Sequence, residues 1–395
     1  MLKIIWISIT LSLFLQADVI NFYKSAVQNL QYDKAYSLYK QSATLSKDAL
    51  VYSQYADLSL DASYTNTKAK LLQNSFNTSD IAISDTLDIF NKKSYLIDAI
   101  ASDIKSQRYL LQNKKEQLFH TLVSMIALYH ALNQKIMLNQ QLYDEQKSLY
   151  DKLFILQEHG AISKLDLLRF KNTLTQLQTK IIRQKNNLAK MDKQLNLYAP
   201  KQNIPNLDSK IRYSKKLFLS HNPLSNANEA MAEKSLAEAK ALGDNYLPEL
   251  TVGMAYQKLD DPTSYGNNYS FNLALHIPLN SSDQKEAEAL KAKALSQESH
   301  KIELQLQREN QYIALLQNYE SANKQLQVLQ SNLNDYIQSQ QTVKAAFVKQ
   351  YVDFNSYLQV LSQTLHIQEQ IIDLQQQRNQ NATFINSIAA GVLYE

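Results

Sequence analysis

The chain has 395 residues with 41 basic and 37 acidic side chains, a formal charge of +4. That balance is too near neutral for a nucleic-acid footprint. It has no cysteine and only five glycines and six prolines, which excludes disulfides and a lipid-modified N-terminal cysteine and favours long helices with few turns.

Residues 1–17 have the pattern of a signal peptide: one basic residue, Lys3, an apolar run from Ile4 to Leu15, and the small Ala17 before the polar Asp18. The run is shorter than a spanning helix needs, and no later segment reaches that length. A place in a membrane would therefore require a β-barrel.

Beyond the signal the sequence occurs twice. Residues 59–64 match 251–256, residues 80–84 match 272–276, and Leu87 matches Leu279, all at an offset of about 192 residues. With one residue of slip, residues 160–165 match 353–358. A period this long means two copies of one large unit, not a solenoid. The predicted organisation is a first repeat over 18–199, an inter-repeat segment over 200–220, and a second repeat over 221–395. Each repeat reads as a helix, two short strands, a very long helix, a turn and another long helix. The segment 200–220, with Pro200 and Pro205, is open to two readings, a plain linker or a small packed region.

Strands are predicted near 57–66 and 78–87 in the first repeat and near 249–259 and 268–279 in the second. Their apolar residues recur every second position, which puts one apolar and one small or polar face on each strand. Leu60, Tyr64, Ile81, Ile83, Val252, Tyr256, Leu273 and Leu275 fall on the apolar face. Asp61, Asp80, Asn272 and His276 fall on the other. Segments of about ten residues suit tilted transmembrane strands, with the apolar face to lipid and the polar face to a water-filled lumen. Four strands cannot close a barrel of useful width, and an open edge in lipid is not tolerated, so several chains would have to share one barrel.

The first long helix is predicted from about Asp88 to Gln157 and its counterpart from about Ser282 to Gln350. Some 70 residues of helix extend roughly 100 Å. Leu122, Tyr129, Ile136, Tyr143 and Tyr150 are spaced by seven. After the turn at Gly160 the spacing resumes with Leu167, Leu174, Ile181, Leu188 and Leu195, while a parallel row is broken by Gln184. Sustained heptads argue for coiled-coil packing, each helix touching two neighbours. An elongated soluble coiled-coil structural or adaptor protein of the periplasm is the alternative; the matched strand hairpins with apolar outer faces argue against it.

No catalytic residue, cofactor site or metal site is expected. The seven histidines show no metal-ligand spacing, and neither a phosphate-binding glycine loop nor a nucleophile elbow is present. The chain is therefore not expected to be an enzyme.

Three short stretches occur in a telling order: His221-Asn222-Pro223-Leu224, Tyr246-Leu247-Pro248-Glu249-Leu250 and Ala274-Leu275-His276-Ile277-Pro278-Leu279. With them go two helix-hairpin turns, Gly160 to Leu168 and Ser356 to Leu361. In this order the chain resembles the outer-membrane efflux proteins of the TolC type. The resemblance covers the whole chain after the signal peptide. It implies a mainly α fold with a β-barrel part: duplicated helical hairpins forming a periplasmic tunnel, and four strands per chain completing a shared twelve-stranded barrel in a homotrimer. It also implies a passive channel of a tripartite efflux or type I secretion system in the outer membrane. Its partners would be a periplasmic adaptor (membrane fusion) protein, an inner-membrane pump or secretion ATPase, and outer-membrane lipid. The adaptor and the narrowed entrance would be served by Gly160, Ala161, Ile162, Ser163 and Asp166 at one turn. At the other turn stand Asp353, Phe354, Asn355 and Ser356, with Asp353 where that family usually has glycine.

Overall fold

In the computed structural model the described residues are 19–55, 57–68, 75–159, 162–244, 247–261, 264–277 and 282–394. The expected signal peptide lies outside them, as do Gly160 and Ala161. The elements in chain order are α1 (19–29), α2 (Tyr32–Tyr55), β1 (Leu58–Lys68), β2 (Ser75–Leu87), α3 (Lys92–Glu158), α4 (Lys164–Tyr198), α5 (Lys215–Ser220), α6 (Pro223–Gly243), β3 (Glu249–Asp261), β4 (Ser264–His276), α7 (Ser282–Val348) and α8 (Phe354–Ala389).

Both α3 and α7 run for 67 residues without glycine or proline, so nothing in them interrupts the backbone ladder. Punctuation falls between elements. Asp88 accepts the Lys92 and Lys93 amides at 2.9 Å and starts α3. Asn222 accepts the Ser225 amide at 3.3 Å, with Pro223 in the first turn of α6, where its missing N–H costs nothing.

The duplication is visible in the element lengths. α3 and α7 begin 190 residues apart and end 190 apart, and so do the starts of α4 and α8. At the turns the helix starts pair Ser163 with Asp353; the expected pairing of Gly160 with Asp353 falls on a residue outside the described ones. The cause is physical. A helix end is set by its cap, and matching apolar residues across a turn does not fix where the cap falls. The strands also reach further into the hairpin loops than the polar composition there suggested, to Lys68, Ser75, Asp261 and Ser264, because backbone pairing continues past the apolar stretch. The far end of β4 is short of expectation, closing at His276.

The chain divides into two compact units, with boundaries at the start of α2, inside α3, between α5 and α6 and inside α7. One comprises Asp33–Leu111 and Asn222–Gln305. It holds a four-stranded antiparallel sheet of order β1-β2-β3-β4 and four helical segments. Side-chain contacts order these segments the same way. Tyr39 bonds Asp103 across α2 and α3. Lys234 of α6 reaches Asp103 of α3 at 3.0 Å. Lys301 of α7 reaches Glu229 of α6 at 3.0 Å.

The other unit comprises Gln112–His221, Leu306–Glu395 and the chain up to Tyr32. One core joins Phe22, Tyr23, Phe119, Leu122, Ile126, Phe218, Ile385 and Ile388. The segment 200–214 is no plain linker: Pro205, Leu207 and Asp208 are buried. The Asp208 amide donates to Thr383 Oγ1 at 2.8 Å, the Arg212 amide donates to Asn386 Oδ1 at 2.8 Å, and Asn386 Nδ2 donates to Asp208 Oδ2 at 3.1 Å. A second core at the two turns joins Leu149, Leu153, Phe170, Phe347, Phe354 and Tyr357.

Candidate functional site: a two-faced sheet and paired hairpin turns

In an antiparallel ladder directly opposed residues share a face. The register pairs Leu60 with Ile83, Ile83 with Met254, and Met254 with Phe271. It pairs Ile81 with Tyr256, Val252 with Leu273, and Leu250 with Leu275. All eight residues expected on the apolar face therefore lie on one face, joined by Leu58, Met254, Tyr269 and Phe271. Leu60 at 69% and Leu273 at 66% exposure show that no described part of the chain covers them, while Val252 and Tyr256 are half-buried. Asp85 also falls on this face, where it accepts the Asp57 amide at 2.7 Å at the strand end.

Asp61, Asp80, Asn272 and His276 share the opposite face. Their neighbours are small and hydroxylic. Ser59 Oγ and Ser84 Oγ stand 2.7 Å apart, and Ser63 Oγ donates to Asp80 Oδ2 at 3.1 Å. Gly253 belongs here because a Cβ on it would meet Ser84 Cβ at 3.2 Å and the Ile83 carbonyl at 3.3 Å. Among the described strand residues no lysine or arginine lies on this face; Lys258 falls on the other. β1 and β4 each have one unpaired edge.

At the hairpin turns the acidic residues are tied into the helix starts. Ser163 is the N-cap of α4; its hydroxyl accepts the Asp166 amide at 3.1 Å and donates to Asp166 Oδ2 at 2.6 Å. Arg169 lies 3.7 Å from the Asp166 carboxylate. Asp353 caps α8, accepting the Ser356 amide at 2.9 Å and its hydroxyl at 2.8 Å. Those bonds hold the Asp353 carboxyl below its ordinary range. Ile162 packs half-buried against the turn core, and Asn355 is exposed. Phe354 does not serve as a docking contact: it is 4% exposed inside that core, its ring 5.6 Å from Phe170 and 5.9 Å from Phe347. It positions the turn from within. Apolar residues adjoining the turns point outward instead, with Tyr351 at 81% and Ile155 at 55% exposure.

Two buried polar clusters escaped the sequence reading. Glu116 and Arg308 form a fully buried ion pair. Tyr394 donates to Glu116 Oε2 at 2.6 Å, and the Arg308 guanidinium lies 4.5 Å from the Phe218 ring centroid. These residues are scattered over the chain with no shared motif, so no local signal marked them. Burial lowers the pKa of His120 beside them, with Arg308 adding to the effect and Glu116 opposing it. The second cluster did leave a trace, the break at Gln184. Asn139 Nδ2 donates to Gln184 Oε1 at 3.1 Å and to Glu369 Oε1 at 3.0 Å, and Lys180 reaches the same Glu369 oxygen at 2.6 Å. Burial alone would raise the Glu369 carboxyl; the Lys180 and Asn139 hydrogen bonds outweigh it and lower it.

Among the described residues no group of three or more His, Asp or Glu is placed to hold a metal. No described helix is long and apolar enough to cross a membrane.

Comparison with solved structures finds the same architecture elsewhere. The transmembrane-channel protein CusC superposes with a TM-score of 0.80 at 14% identity, covering 94% of this chain and 92% of that one. The outer membrane protein VceC of Vibrio cholerae gives 0.78 at 13% identity over 95% of this chain and 96% of that one. The MtrE outer membrane channel of Neisseria gonorrhoeae, in its open state, gives 0.76 at 12% identity over 95% and 89%. The chain thus has the TolC-like outer-membrane channel fold along nearly its whole length. No protein-family model and no curated protein matches the sequence itself.

Proposed function

We propose that the chain is one subunit of a homotrimeric outer-membrane channel that passively conducts substrates from a periplasmic assembly to the exterior. The observation that carries this reading is the sheet. It has an uncovered apolar face, a face of hydroxyls and carboxylates, and two open edges. Lipid accounts for the first, a water-filled lumen for the second, and neighbouring copies for the third, since unpaired strand edges are not tolerated in lipid. A soluble coiled-coil protein has no use for that combination.

In this reading Leu60, Tyr64, Ile81, Ile83, Val252, Tyr256, Leu273 and Leu275 face lipid. Asp61, Asp80, Asn272 and His276 line the lumen. The two hairpin turns form the periplasmic entrance, with Ser163, Asp166, Asp353, Asn355 and Ser356 at its rim. Gly160 and Ala161, outside the described residues, complete the rim by sequence. A periplasmic adaptor bound to an inner-membrane pump or secretion ATPase engages these turns, and the exposed Ile155 and Tyr351 supply its apolar contacts.

The test is the state of the purified protein. Light scattering should show a trimer that needs detergent, and planar bilayers should show discrete conductance steps. A stable monomer in detergent-free buffer would refute the proposal.

A further inference from the structure

Residues 200–216, the segment after α4 with the first turn of α5, form a strap laid across the helices of their own unit. The strap leaves α4 at Ala199, whose amide donates to the Leu195 carbonyl at 3.0 Å. His130 Nε2 of α3 stands 2.8 Å from the Pro205 carbonyl. Thr383 and Asn386 of α8 accept the Asp208 and Arg212 amides, both at 2.8 Å. Lys215 pairs with Glu309 of α7, and the Phe218 ring just beyond lies 5.2 Å from Tyr312 of the same helix. The strap thus meets α4, α3, α8 and α7 in turn. Along α3 its crossing at His130 is about 40 Å from the hairpin turn, so it is a different surface from the turns.

The strap has two sides. Pro205, Leu207 and Asp208 are buried against the helices, while Gln202, Asn203, Asn206 and Ser209 are exposed. Its charged residues are Lys201, Lys210, Arg212, Lys215 and Lys216 against the single acid Asp208. That balance equals the formal charge of the whole chain, +4, so the remaining sequence balances to neutral and the excess sits here. Asp208 bonds Arg212 at 3.0 Å, and Glu309 holds Lys215. Lys201, Lys210 and Lys216 are exposed, and no described carboxylate pairs with them. Between Lys201 and Lys216 no apolar residue is exposed. This surface therefore has nothing to put into a bilayer or into the apolar centre of a folded partner's interface.

In the channel reading a strap across four helices lies on the outer side of the tunnel wall, because on the inner side it would cross the bore. We propose that the strap lysines of neighbouring copies form a basic belt that binds the cell-wall polymer of the periplasm, a saccharide mesh whose peptide stems carry free carboxylates, where the tunnel passes through it. Flexible exposed cations at one level, with amides and hydroxyls between them and no pocket, suit a repeating polyanion that surrounds the tunnel. Each exposed pair is weak, and many pairs along one polymer add up. The belt rests on the channel reading for its place in the periplasm; the strap and its charge belong to the chain itself.

The test is co-sedimentation of the purified protein, in neutral detergent at low salt, with isolated cell-wall sacs. The wild-type chain should pellet with the sacs. Lys201→Gln, Lys210→Gln and Lys216→Gln combined should bind about tenfold more weakly. High salt should release the wild type, and sacs with amidated carboxylates should not retain it. Lys147→Gln, Lys152→Gln and Lys171→Gln combined remove the same charge from exposed positions nearer the hairpin turns and should bind like the wild type. Equal retention of the wild type and the strap variant overturns the belt. Equal losses in the two variants overturn it as well, because net charge alone would then explain the attraction. Strap-dependent binding to anionic phospholipid vesicles, with none to the sacs, also overturns it, since the partner would be a lipid surface. Light scattering on the same samples separates the two readings. Trimers without strap-dependent binding sink the belt and leave the channel standing, while stable detergent-free monomers sink both.

Discussion

Gln350 ends α7 with a φ of 63°. Its amide donates to the Phe347 carbonyl and the Tyr351 amide to the Ala346 carbonyl, both at 2.9 Å, the paired bonds of a Schellman cap. A side chain in this left-handed conformation costs about 1–2 kcal/mol, which glycine avoids while losing about 0.5–1 kcal/mol of chain entropy. Gln350→Gly should therefore raise stability by up to about 1 kcal/mol, read as a higher unfolding midpoint in detergent. A lower midpoint would mean that the glutamine side chain holds the turn more strongly than the backbone strains it. Gly391 shows the same rule with less freedom. It sits at a φ of +73°, and a Cβ there would come within 3.0 Å of the His221 ring. Burial raises the Tyr357 hydroxyl to about 12, so it stays protonated and donates to Gln146 Oε1 at 2.6 Å within the turn core.

Strands and helices divide the labour through different periodicities. On β3 consecutive residues face opposite ways: Val252 shares the apolar face with Leu273, and Thr251 shares the polar face with Ala274. Val252→Arg near the middle of the bilayer should cost about 2–4 kcal/mol, and Thr251→Arg much less. The check is the fraction of each variant that inserts into outer membrane or refolds into lipid vesicles. Equal losses would remove the two-faced reading of the sheet. On the helices the heptad rows are apolar enough to pack but not continuous, and Asn139, Gln184 and Glu369 interrupt them with a polar layer tied by Lys180. Such layers pin the register of one helix against the next, because any slip leaves a buried polar group unpaired.

For the assembled channel, three copies would set Asp166 and Asp353 as rings of like charge at the entrance, favouring cations in a narrow mouth. Asp353 caps α8 and Asp166 holds the Ser163 cap of α4, which would confound most substitutions. Asparagine is as good a cap as aspartate at 353 and can still accept from Ser163 at 166, so Asp166→Asn with Asp353→Asn removes charge and keeps the turns. Single-channel recording in planar bilayers should show a reduced cation preference at low salt and unchanged insertion. The difference should shrink at high salt, since exposed charges are screened beyond roughly 8–10 Å at physiological strength. Unchanged selectivity at low salt would place the selective constriction elsewhere, and the cation-free polar face bearing Asp61 and Asp80 is then the next place to look.

The sequence by itself determined the duplication, the two long uninterrupted helices and the alternation of Leu60, Asp61, Ile81 and Asp80, because periodicity and the scarcity of glycine and proline are local properties that no tertiary contact needs to supply. It also named the polar and apolar faces of all four strands, since a face is fixed once a period of two is recognised. Only the tertiary structure decided the rest. It paired Ser163 with Asp353 as the caps of α4 and α8, because caps rather than apolar matches set where helices start. It buried Phe354 between rings from α4 and α7, turning an expected surface contact into a support. It brought Glu116, Arg308 and Tyr394 together from positions as far apart as 278 residues. It ordered α2 and α7 as outer helices, since adjacency in space is set by which side chains meet and not by which residues follow one another.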